Sequence, residues 1–155
     1  MFEVLAFVYE NYANGHACPE LITLHRKLST LRFASDEIQA ALLWLEDLRA
    51  ATHDHHTPSH SVAASPIATR LFTLHEQNHL GLKAWGFLSM LRSIGAITCE
   101  QLELTLDCAM AAPGEPVSLD DLKLMVLMVF WGLGQQPDAL VFNELCNAET
   151  LQLRQ

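Results

Sequence analysis

The chain has 155 residues, half of them apolar and 17% charged, with a formal net charge of −9. That length can bury a core of its own, and the composition excludes a disordered chain. The acidic balance argues against nucleic acid and anionic lipid as partners: five Lys/Arg face eight Asp/Glu up to Phe72, and four face ten beyond it.

Phe2, Leu5, Val8, Tyr9 and Tyr12 recur at helical spacing, and Asn14-Gly15 is suited to stop that helix with a positive φ. Glu3 stands where a signal peptide would be basic, and no small-residue cleavage site follows, so the segment reads as a helix rather than a leader. Pro19 suits a first helical position, after which Leu21, Leu24, Leu28 and Leu31 mark one face of a second helix. Ser35 is expected to cap a third, with Asp36 and Glu37 in its first turn, Ile38, Ala41, Leu42, Leu45 and Leu48 inward, and Trp44 beside them. Residues 51–65 are polar, His-rich and broken by Pro58, which reads as a loop; Ile67–Thr73 could add a short strand.

The helical pattern returns at Thr73, whose spacing to Glu76 is that of a capping box, and continues through Leu80, Ala84, Phe87, Leu88 and Leu91 to a stop at Gly95. Thr98 opens the next helix, with Leu102, Leu106 and Ala109 inward, and Ala112–Pro116 breaks it. Ser118–Gly134 is the hub: a Ser cap, Asp120 and Asp121 in the first turn, then no polar face beyond Lys123. At about 1.5 Å per residue the stretch spans roughly 25 Å, short of about 30 Å of hydrocarbon, so it is expected to be a core helix with Lys123 and its cap wet. A last helix is expected near Asp138–Ala148, carrying Leu140, Val141 and Leu145. Cys18, Cys99, Cys108 and Cys146 include no C-x-x-C pair and read as free thiols of a reducing cytosol.

Five blocks in order carry a resemblance: MFEVLAFVYENY, IQAALLWLEDL from Ile38, ASPIATRLFT with Glu76 behind it, GFLSMLRSIGAI from Gly86, and DLKLMVLMVFW from Asp121. Together they resemble the Smg family, small bacterial cytoplasmic proteins of unknown function. The resemblance implies a mostly helical cytoplasmic protein. Members are often encoded near genes for DNA processing and topoisomerase-like proteins. The family has no accepted catalytic residues to carry over.

His75-Glu76-Gln77-Asn78-His79 matches H-E-x-x-H, the spacing that lets two imidazoles on one helix face hold Zn²⁺ while the Glu activates water, the basis of a remote zinc-hydrolase alternative. Against it, no third ligand follows in register and Glu76 has a competing task at the helix cap; an ordinary helix start is the preferred reading. His53, His55, His56 and His60, beside Asp54, could chelate a metal adventitiously. The three-helix start is compatible with a helix-turn-helix or winged-helix layout. Its third helix, however, offers Asp36, Glu37, Gln39, Glu46 and Asp47 with Arg49 alone to oppose them, a poor match for phosphate. Arg26, Lys27 and Arg32 form the basic grouping on which a nucleic-acid alternative rests. No Gly-rich phosphate loop and no G-x-S-x-G occurs.

The expectation is therefore an all-α or nearly all-α cytoplasmic protein. A helix-turn-helix-like half (1–72), with or without a β wing, packs on a C-terminal helical bundle (73–155). Its expected work is non-catalytic, without cofactor or membrane, through protein contacts at Asp36, Glu37, Glu46, Asp47 and Arg49, with Trp44, Trp85 and Trp131 more suited to core packing than to anchoring a partner.

Overall fold

The computed structural model describes residues 1–13, 15, 18–54, 72–113 and 116–146. Among these it is wholly helical: α1 (Phe2–Tyr12), α2 (Leu21–Thr30), α3 (Ser35–Asp54), α4 (Leu74–Ser93), α5 (Cys99–Met110), α6 (Leu119–Gly132) and α7 (Ala139–Cys146). No strand occurs among the described residues; residues 67–71 of the expected wing lie outside them, and Thr73 is the N-cap of α4.

α6 is the centre. Ser118 Oγ accepts from the Asp121 amide at 3.1 Å, satisfying one of the amides a helix start leaves open. From Leu122 to Phe130 every residue is buried, because α1, α3, α4, α5 and α7 all pack against this helix. Gly132 lets it run close to α3: a Cβ there would lie 3.1 Å from Thr52 Cγ2. Gly134, at φ +65°, closes the helix by a Schellman turn in which the Gln135 amide donates to the Phe130 carbonyl at 2.9 Å.

Lys123 corrects the expectation of a wet position. It is 7% exposed, and its Nζ donates to the Glu144 carbonyl at 3.0 Å and carboxylate at 3.1 Å while lying 5.1 Å from the centre of the Phe87 ring. A buried ammonium needs such partners, and this one ties α7 and α4 to α6. In α7 only Leu145 is buried, whereas Leu140 is 79% exposed.

Other departures are local. α2 starts at Leu21 with Glu20 as N-cap, two residues past Pro19, and Leu31 is its exposed C-cap rather than a core residue. Ser35 is the first residue of α3, not its cap. That helix runs on to Asp54, so His53 is helical and exposed. α4 carries a break at Gly81 (φ 73°, ψ 165°). The break opens the helix to the α5–α6 connection: the Val117 amide donates to the His79 carbonyl at 2.8 Å, and Pro116 Cβ sits 3.0 Å from where a Gly81 Cβ would be. Both halves of the Thr73–Glu76 capping box are present, and Thr98–Gln101 forms a second.

Trp44 is 3% exposed, and its indole N–H donates to the Cys108 carbonyl at 2.9 Å, joining α3 to α5. Trp85 and Trp131 are only partly buried. The four cysteines are free. Burial first, then the nearby Asp107 and Asp47 carboxylates, pushes the Cys108 thiol from the ordinary 9.0 up to about 12. An unfolded thiol ionises near 9 while the folded one holds its proton, so stability is full below pH 9 and falls as the pH rises toward 12. Between pH 9 and 11 the wild type should lose about 2 kcal/mol more than Cys108→Ala. Urea midpoints across that range check it, and equal slopes for the two proteins refute it.

Candidate functional site

α2 packs against α3, and Leu24 and Leu28 of the first and Ile38, Ala41 and Leu45 of the second are all at most 1% exposed. Between them the turn is held by Arg32 at φ +64°, a left-handed conformation ordinarily left to glycine or asparagine. On the solvent side the two helices diverge into an open groove of about 440 Å³, lined by Leu21, Ile22 and His25 of α2 and by Ser35, Gln39, Leu42, Leu43 and Glu46 of α3. Ile22 is 75% exposed and Leu43 56% exposed. Each is apolar, yet each lies off the stripe that its own helix buries.

The α3 rim of this groove is acidic. At about 100° per residue, Asp36, Leu43 and Asp47 share one outward line, and Glu46 stands a turn beyond Leu43 on the groove side. Asp36, Glu46 and Asp47 are exposed. Glu37 is set apart, because it accepts an ion pair from the Met1 ammonium at 3.2 Å. Arg49 turns toward another surface and donates to Cys18 Sγ at 3.0 Å, so it does not neutralise the acidic line. Of the five candidate residues on α3, Glu46 lines the groove, Asp36 and Asp47 lie exposed on the outward line of Leu43, and Glu37 and Arg49 are engaged elsewhere.

The basic grouping is divided. Lys27 Nζ donates to the Tyr12 hydroxyl at 2.9 Å and lies 5.1 Å from that ring's centre. Arg26 and Arg32 are exposed. The H-E-x-x-H pair is divided in another way. His75 is exposed, whereas His79 is 6% exposed, with Nε2 2.9 Å from the Ala109 carbonyl. A carbonyl only accepts, so Nε2 carries the hydrogen and is not open to a cation there. Glu76 Oε2 takes the Thr73 amide at 2.7 Å and its hydroxyl at 3.0 Å. No cluster of three or more His, Cys, Asp or Glu that could hold a metal occurs among the described residues; His55, His56 and His60 lie outside them. No described helix is long and apolar enough to cross a membrane.

Ile22, His25 and Leu43 stand outside the helical pattern, whereas Leu42, expected inward, is only partly buried against the core and also lines the groove. The available signal was phase: Ile22 and Leu43 are large apolar residues out of step with the Leu24–Leu28 and Ile38–Ala41–Leu45–Leu48 stripes.

A family model described as "Protein of unknown function (DUF494)" matches residues 1–154 of the chain. A protein Smg homolog of Methylibium petroleiphilum is 46% identical over 145 residues, covering 94% of this chain and 93% of the relative. One from Leptothrix cholodnii has the same identity and coverage. One from Herminiimonas arsenicoxydans is 39% identical over 94% of this chain and 92% of its own length. No solved structure matches the chain.

Proposed function

The chain belongs to the Smg family, a family of proteins of unknown function, and we propose that it acts in the cytoplasm as a non-catalytic interaction module, an adaptor or regulator. Its α2–α3 groove receives a basic amphipathic helix from a protein engaged in DNA- or RNA-related work. One observation carries this reading: Ile22 and Leu43 stand outside the core on an open groove that Glu46 also lines, with the exposed Asp36 and Asp47 on the same outward line of α3 as Leu43. An apolar helix face would fill the groove, and Lys or Arg on its flanks would meet the acidic rim, which steers encounter and selects partner charge.

Leu43→Glu tests it. The side chain is exposed, so the fold should hold, while the groove acquires a second carboxylate beside Glu46 and loses its apolar wall. Affinity purification from the host cells with wild type and variant side by side should yield a partner that is retained by the wild type, lost with Leu43→Glu, and weakened by salt. A partner set unchanged by the substitution, or no groove-dependent partner, rejects the reading.

The second reading, a weak nucleic-acid-binding winged-helix protein, draws on the exposed Arg26 and Arg32. Lys27 is held by Tyr12, and the carboxylates of α3 would face phosphate. A mobility shift at low salt that is lost in Arg26→Ala would favour this reading over the first.

A further inference from the structure

We propose that a second concavity, between α1, α6 and α7, binds a neutral, flat heteroaromatic ring with an amide-like donor–acceptor edge, the chemistry of a nucleobase or nucleoside without phosphate. Its volume is about 440 Å³, within the range of small-molecule sites. Three helices each bring one partly exposed aromatic ring to it: Tyr9 of α1, Trp131 of α6 and Phe142 of α7. Partly exposed rings around a concavity can stack on a planar ligand, and every nucleobase has a π-face to offer them.

The Schellman turn after α6 supplies the polar groups. It sets Gln135 and Gln136 on the rim. Gln135 Oε1 accepts from Gln101 Nε2 at 2.7 Å, which fixes that carboxamide and leaves its NH₂ to donate. Gln136 brings one donor group and one acceptor, the pairing that an amide edge matches. Tyr9 adds a hydroxyl; burial pushes its ionisation up to about 12, so it keeps its proton. Among the described residues, no Lys, Arg, His, Asp or Glu lines the pocket. In a chain of net charge −9, a phosphate brought here would find no cation among these lining residues, and the ligand is assigned as neutral.

The test is a titration of the ¹⁵N-labelled full chain with uridine and adenosine, with their 5′-monophosphates, and with indole as a ring lacking the amide edge. A nucleoside should shift the Trp131 indole and Tyr9 signals saturably below about 5 mM, an affinity of a few kcal/mol. The monophosphate and indole should each bind roughly tenfold more weakly, as unmatched polar groups cost that much or more. Phe142→Ala should lose roughly tenfold by removing a stacking wall. Gln136→Ala, at an exposed turn residue, should lose several-fold in a protein of unchanged fold. Absence of a saturable shift, indole binding as tightly as the nucleosides, or full binding in folded Gln136→Ala and Phe142→Ala overturns the proposal. Leu43→Glu should leave this binding intact, because the site uses other helices than the α2–α3 groove; either reading can fail without the other.

Discussion

Val126→Asp is expected to abolish the cooperative thermal transition and to unfold α1–α3 together with α4–α7. Val126 is 1% exposed, in the middle of the continuously buried Leu122–Phe130 run. The replacement side chain is of similar size, so shape changes little and the effect is electrostatic. An ionised carboxylate there would have no partner; a protonated one needs its pKa raised by about 3–5 units, which costs roughly 4–7 kcal/mol. Stability of a chain this size is about 5–15 kcal/mol, so the substitution removes a large part or all of it. The loss should spread because α6 packs on α1 and α3 as well as on α4, α5 and α7. Far-UV circular dichroism with limited proteolysis reads the result. Survival of α1–α3 with α4–α7 melted would make residues 1–72 a separate folding unit. A fully helical mutant would place α6 at the periphery.

Gly81→Ala and Gly86→Ala, one substitution at two places in α4, should move stability in opposite directions. Gly81 has φ 73° and ψ 165°, a conformation essentially reserved for glycine and costing other residues about 1–3 kcal/mol. The new Cβ would also lie 3.0 Å from Pro116 Cβ, part of the loop whose Val117 amide bonds into the break. A loss of about 2–4 kcal/mol is expected. Gly86 lies in regular helix with nothing within 4 Å of an added Cβ, so alanine there should gain about 0.5–1 kcal/mol by removing backbone freedom from the unfolded chain. Urea midpoints of the two variants settle it: a shared direction of change would show that the break at Gly81 does not constrain the folded chain.

Much of this architecture was legible in residue order. Thr73–Glu76 announced its capping box, and Leu80, Ala84, Phe87, Leu88 and Leu91 announced a buried face, because both depend on residues three or four apart. The candidate sites were less legible. Asp36, Glu46 and Asp47 could be read as an acidic face, but not that Met1 would engage Glu37 or that Cys18 would engage Arg49. Those pairings join residues 36 and 31 positions apart, beyond the reach of helical periodicity. The groove and the aromatic pocket are concavities between helices, and a concavity has no periodicity at all.

Lys123 and Gly81 mark the division most sharply. The chain by itself determined the succession of helices, the caps at Thr73, Thr98 and Ser118, and that α6 would be the buried hub, since backbone propensity, capping and hydrophobic phase are local. Only the tertiary structure decided that Lys123 lies under α7, held by Glu144 and Phe87, and that α4 breaks at Gly81 where Pro116 and Val117 approach. A lone lysine in an apolar run reads as wet until something covers it, and a lone glycine in a helix reads as a small loss of propensity until another backbone arrives. In both positions the deciding neighbour comes from a distant part of the chain, and its contact free energy overrides the local preference.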